Sequence, residues 1–186
     1  MKYLITATIT LAAILAGSAA FAQESQPQTT SDQTTAAKPI RVGVYDSRAI
    51  AMAFAASDMF NEEMQGTRKE YETAKADGNE TRVKEIDESM QAMQRKFHQQ
   101  GFGTASVDDI LARIKGELPG IAEAAGVDII VSKWAINYQS SDANLTDVTL
   151  QVVAPFNPSE RTLQIINDLK NKQPLSAKDL EQMSDH

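Results

Sequence analysis

The sequence predicts an α+β protein: a small β body carrying a projecting antiparallel helical hairpin (a coiled-coil arm) and a C-terminal helical tail. Three observations carry that expectation. Ile40, Val42 and Val44 alternate with Arg41, Gly43 and Tyr45, the period of a strand. Val83, Ile86, Met90, Met93 and Phe97 step by three and four residues, the period of one helix face. Residues 127–131, Val-Asp-Ile-Ile-Val, form a β-branched run bounded by Gly126 and Ser132.

Residues 1–22 read as a secretory signal peptide. Lys2 starts it, an apolar run from Tyr3 to Ala16 follows, and Ala20-Phe21-Ala22 is an A-x-A cleavage site before Gln23. The run is short for a membrane span of about 20 residues. Export to the periplasm is therefore expected, with no transmembrane anchor after signal cleavage. Residues 23–38 hold no large apolar side chain and read as a disordered linker, because nothing in them offsets the entropy of ordering.

Asp46 or Ser47 can cap a helix start, and Ser47 to about Ala76 contains no breaker except Gly66. Ala53, Ala56, Phe60, Met64, Thr67, Tyr71 and Ala74 make a seam at heptad-like spacing. Asp77-Gly78-Asn79 signals a turn, and the period resumes at Val83. The predicted arm spans about 47–125, with Phe60, Met64, Tyr71, Val83, Ile86, Met90, Met93 and Phe97 meeting along its seam. Thirty helical residues reach about 45 Å, too long to fold back into a body this small. Gly101 and Gly103 interrupt the return helix and are candidate hinge positions. Ser106, with Asp109 three residues on, restarts it. Pro119 and Gly120 should kink it, and Gly126 should end it.

Body strands are expected at about 40–45, 127–131 and 134–138, followed by a helix from Asn144 or Thr146 to about Val153. Residues 39–154 thus make one domain, and 155–186 a helical extension. Asn157-Pro158-Ser159-Glu160 is the first helix start of that extension. Ser176 with Asp179 is the second. Three short strands form a thin sheet with little core of its own. Val42, Val44, Ile129, Val131, Trp134 and Ile136 are therefore expected as a core of the body or of an oligomer.

Composition narrows the function classes. The 186 residues include no cysteine, two histidines, 25 acidic and 18 basic side chains. Disulfides, thiolate zinc sites, a cysteine nucleophile and a histidine-rich metal centre are excluded. The formal charge of −7 becomes −8 once Lys2 is removed with the signal peptide, which argues against nucleic-acid binding. No cofactor is expected: Gly101-Phe102-Gly103 lacks the third glycine of a dinucleotide loop and follows a helix. No metal site or catalytic group is assigned. Met52, Met59, Met64, Met90 and Met93 fall in the arm, and flexible, polarisable Met suits surfaces that grip varied apolar clients. Met64, Met90 and Met93 can equally fill the seam. Met52, Phe54 and Met59 lie off it and are the candidate client-binding residues, or a contact between subunits. His98 reads as a surface residue before a helix break, with a small titratable site as the alternative. Trp134 reads as core or interface rather than a ligand platform. Asp46 and Asp128 read as caps, with a paired-carboxylate site as the alternative. Asn144-Leu145-Thr146 matches a glycosylation sequon, incidental beside a bacterial-looking signal peptide.

The segment VDIIVSKWAINYQSSDANLTDVTLQVV (127–153) resembles the close of the Skp/OmpH family of periplasmic chaperones. IRVGVYDSRAI is similar to that family's first strand and the start of its arm. KADGNETRVKEID is similar to its hairpin turn. The likeness covers residues 39–154. It implies a homotrimer with a β body and three helical arms around a cavity, holding unfolded outer-membrane or envelope proteins without ATP. This chain departs from the family in three respects. Its descending arm is shorter, its residues 58–98 carry ten Asp/Glu against seven Lys/Arg, and 155–186 extends beyond the usual end. A non-catalytic structural or adaptor protein of the cell envelope, built on the same body, is the alternative. A secreted enzyme would have to rest on His98.

Overall fold

The computed structural model describes residues 38–184. The predicted signal peptide, and all of the predicted linker except Lys38, lie outside them. The described chain is mixed helix and sheet. In order it runs β1 (Val42–Tyr45), α1 (Ser47–Ala55), α2 (Asp58–Ala76), α3 (Glu80–Phe102), α4 (Asp108–Leu111), α5 (Leu118–Ala125), β2 (Ile129–Ser132), β3 (Leu145–Asp147), α6 (Thr149–Val153), α7 (Glu160–Leu169) and α8 (Ala177–Ser184). Single 3₁₀ turns at 112–114, 133–135 and 154–156 join some of these.

The sheet is parallel throughout, with order β2-β1-β3. Val42 stands opposite Ile129 on one side and Leu145 on the other, and Val44 opposite Val131 and Asp147. The alternation at 40–45 is a strand, but its inward face is the reverse of the hydrophobic one. Gly43 and Tyr45 are buried toward the helices, whereas Val42 and Val44 are half-buried and Ile40 is 69 % exposed. The reason is steric. A Cβ on Gly43 would stand 3.1 Å from methyls of both Val127 and Val148, so only glycine lets those two side chains reach the strand.

The third strand also differs from expectation. No strand forms at 134–138; Lys133–Ala135 is a 3₁₀ turn and the chain is irregular to Asn144. Two side chains fasten this turn to the end of β1. Trp134 Nε1–H donates to Asp46 Oδ1 at 3.2 Å, and Lys133 Nζ lies 2.7 Å from Asp46 Oδ2. A parallel β2 and β3 also need a return connection between them, which residues 133–144 supply. Leu145–Asp147, read from sequence as the start of a helix, pairs instead with β1. The helix waits until Thr149, whose N–H bonds Asp147 Oδ1 at 2.9 Å.

The expected continuous helix 47–76 is broken after Ala55. Ser57 Oγ donates to Phe54 O at 2.6 Å and accepts from Phe60 N–H at 3.2 Å. It thereby ends α1 and caps α2. Gly66, the suspected weak point, is exposed within α2. Asp77-Gly78-Asn79 turns as expected: Gly78 has φ +65°, and Asn79 Oδ1 accepts from Arg82 N–H at 3.0 Å. The helix after Ser106 is two pieces, α4 and α5, and the break falls ahead of Pro119 because proline fits the first turn of a helix. Gly126, at φ +67°, ends α5.

The core lies on one side of the sheet. Ala49, Ile50, Ala51, Ala53 and Phe54 of α1 are buried with Val107, Ile110, Ile114, Val127, Val148, Val152, Val153, Phe156 and Ile166. Helix α1 contacts α3, α6 and α7, so residues of the C-terminal extension belong to the same core.

Candidate functional site

Three arrangements concern function: an ion-pair cluster at the end of β1, the apolar surface shared by α2 and α3, and the outer face of the sheet. The cluster forms because the chain turns sharply from strand to helix at Asp46. The Asp46 carboxylate accepts from Arg48 N–H, Arg48 Nε and Arg48 NH2 at 3.1, 3.1 and 2.7 Å. Arg48 is 1 % exposed. Its guanidinium also donates to Lys172 O at 2.8 Å and Leu169 O at 3.0 Å, carbonyls past and at the end of α7, of which Leu169 O also accepts from Lys172 N–H at 3.1 Å. It lies 5.1 Å from the Trp134 ring centre, and Lys133 Nζ lies 4.5 Å from it. One side chain thus ties β1, α1, the 133–135 turn and α7 together. Asp46 and Asp128 are not a carboxylate pair. Asp128 sits at the other end of β1, where Arg41 Nε and NH2 both donate to it at 3.1 Å.

Burial pushes the Asp46 carboxyl up, but hydrogen bonds from Arg48 and Lys133 and their charges outweigh it and hold its pKa at about 2. The Arg41 guanidinium likewise holds Asp128 well below the ordinary carboxylate range. A depressed pKa contributes stability that is present above the unfolded value and lost as pH falls toward the folded one. The Asp46 contribution, roughly 2 kcal/mol, should therefore be complete above about pH 5 and disappear between pH 4 and 2. Thermal melts across that range check it. Wild-type protein should lose more stability on acidification than Asp46→Asn, and parallel slopes would refute the assignment.

On α2 the less exposed side chains include Phe60, Met64, Thr67, Tyr71 and Ala74, and on α3 Val83, Ile86, Met90, Met93 and Phe97. Contacts between the two helices run from Phe60–Phe97, ring centres 5.1 Å apart, to Glu70–Arg82, 2.6 Å apart. Phe54, expected on a client-binding surface, is instead 2 % exposed at the middle of an aromatic cluster. Its ring centre is 5.5 Å from Phe60, 6.1 Å from Phe97 and 5.9 Å from Phe156, and the Arg113 guanidinium carbon lies 4.8 Å from it. Its spacing from Ile50 marked it as core. Met52 and Met59 are half-buried against the same core. A Cβ on Gly101 would stand 3.1 Å from Met52 Cε, and one on Gly103 would stand 2.8 Å from Leu180 Cδ1. Both candidate hinge glycines are therefore buried seats for neighbouring elements. Leu175 N–H, donating to Phe102 O at 2.8 Å, holds the start of the last segment to the same place.

Phe60, Met93 and Phe97 wall two grooves, one on each side. One, of about 440 Å³, continues along Met90 to Asp87 and His98. The other, of about 320 Å³, is rimmed by two closed ion pairs, Arg113–Glu63 at 2.7 Å and Lys96–Asp109 at 2.8 Å.

The sheet face away from the helices carries Ile40, Val42, Val44, Ile129, Val131, Leu145 and, at the edge, Asp147, with Ile129 46 % exposed. Four of the six residues expected as body or oligomer core are here, outside the chain's own core. Trp134 and Ile136 are half-buried in the connection that follows β2. Parallel sheets are normally covered on both faces, and among the described residues this one is covered on one. Sequence reasoning missed Arg48 and Lys133 altogether. The available signal was a lone arginine opening the apolar run Ala49–Phe54, two residues after an aspartate. Among the described residues, no helix is long and apolar enough to cross a membrane. Compared with models of protein families, with curated proteins and with solved structures, the chain matches none.

Proposed function

We propose that this chain is a non-enzymatic, ATP-independent holdase of the periplasm that binds unfolded outer-membrane or envelope proteins as a homo-oligomer, on the trimeric plan that the Skp/OmpH resemblance implies. In this reading α2 and α3 act as a paired antiparallel arm. The observation that carries it is the Met- and Phe-lined groove along those helices. Methionine has three rotatable bonds and a polarisable sulfur, so such a groove can repack around varied apolar segments. The open sheet face supports the oligomer. Its side chains are apolar apart from Asp147 at the β3 edge, and packing them against other copies supplies the cover that a parallel sheet requires.

The experiment uses residues 23–186. Light scattering should give a mass that is a multiple of the chain. Diluting a urea-unfolded outer-membrane β-barrel protein into it should leave the client soluble at about one oligomer per client, without ATP. A monomer that leaves aggregation unchanged overturns the proposal. The acidic balance of residues 58–98 favours one second reading, the envelope adaptor. It gives an oligomer in the same assay and no protection of the client.

A further inference from the structure

We infer that the groove beside Phe60 and Phe97 takes an extended peptide segment that combines apolar side chains with a lysine or arginine. This rests on the holding function just proposed and names the chemistry of what is held. The floor is Phe60, Met90, Met93 and Phe97, and no Lys or Arg lines the groove. Asp87 stands at one end, exposed. Among the described residues it has no ion pair or hydrogen bond, whereas the neighbouring acids Glu70, Glu85 and Glu88 are paired with Arg82 or Lys84. At the other end His98 Nδ1 is buried without a hydrogen-bond partner. An apolar floor therefore runs from His98 to an exposed carboxylate that nothing in the described chain pairs.

The spacing sets the size of the segment. Eleven residues of α3 separate Asp87 from His98, about 16 Å at 1.5 Å per residue. An extended chain covers that distance in about five residues. The cation pairs with Asp87, and two or three side chains lie on the Met and Phe floor as far as His98. The groove on the other side of Phe60 and Phe97 is equally aromatic, but its two ion pairs are already closed. Charge preference is thus confined to one flank.

Fluorescence anisotropy with two labelled pentapeptides, Lys-Leu-Phe-Leu-Gln and Glu-Leu-Phe-Leu-Gln, tests this on the residue 23–186 chain. The lysine peptide should bind about two- to fivefold more tightly, the range of an exposed ion pair. The difference should shrink with added salt. Asp87→Asn should abolish the preference and Asp87→Lys should reverse it; the side chain is exposed, so circular dichroism should be unchanged. Equal affinities, no binding of either peptide, or a preference untouched by Asp87→Lys overturns the inference. The two readings fail separately. A chain that prefers the lysine peptide through Asp87 yet leaves aggregation unchanged retains the groove and loses the holdase. A chain that protects its client while ignoring peptide charge retains the holdase and loses the groove chemistry.

Discussion

Replacing Arg48 with alanine is expected to lower unfolding stability by about 3–5 kcal/mol, the cost of breaking a buried ion pair by removing one partner. Asp46 would keep only Lys133 for its charge. The Lys172 carbonyl would lose its donor at the same time, and that of Leu169 would keep only Lys172 N–H. Arg48→Lys should recover little, since an ammonium cannot grip both carboxylate oxygens and two carbonyls at once. Urea unfolding followed by Trp134 fluorescence reads the loss directly, because that indole touches both Arg48 and Asp46. Limited proteolysis should show earlier cutting within 170–176, where the chain leaves α7. A loss below 1 kcal/mol with an unchanged cutting pattern would refute the assigned role.

Phe54→Ala is expected to cost a similar amount, about 3–5 kcal/mol, through the cavity it leaves. The ring touches Phe60, Phe97 and Phe156 and carries Arg113 on its face. No neighbour can close the gap without abandoning another aromatic contact. The midpoint of urea unfolding should fall, and the slope should stay the same if the native state remains compact. Met59→Ser, at a half-buried position on the rim of that core, should cost less. A stable, fully folded Phe54→Ala variant would contradict the core assignment. Any loss of binding in a Phe54 variant would therefore report unfolding, whereas Asp87, exposed and outside the core, can be changed to test peptide charge preference alone.

Helical periods were legible wherever a long stretch repeats one. Residues 80–100 read correctly because they hold no strong breaker, whereas Gly101, expected to interrupt the helix, lies within α3, which runs on to Phe102. The Asp77-Gly78-Asn79 turn read correctly because glycine there adopts a positive φ. The break between α1 and α2 was not, because Ser57 acts through its own hydroxyl on Phe54 and Phe60, and a single cap residue leaves the apolar spacing unchanged. The face of β1 was misread for a different reason. Alternation gives two faces, and hydrophobicity alone assigns the larger side chains inward. Here Val127 and Val148 approach so closely that Gly43 is the inward residue. β3 went unseen because a three-residue strand has no measurable period and depends wholly on its pairing with β1. For the candidate site, the sequence showed the Met and Phe positions but not which were surface. That distinction between Phe54 and Phe97 is set by α6 and its 3₁₀ extension, which bring Phe156 onto Phe54 from a hundred residues away.

The Arg48 clasp also sets an order of events. Its guanidinium lies in the first helix, but two of its acceptors are 121 and 124 positions downstream. Donor and acceptors thus come from opposite ends of the described residues. Until Leu169 and Lys172 are in place, the guanidinium has Asp46 and the Trp134 ring beside it but no carbonyl to take its remaining donors. Closure of the fold is thereby coupled to the arrival of α7, through contacts of the long sequence separation that slows folding.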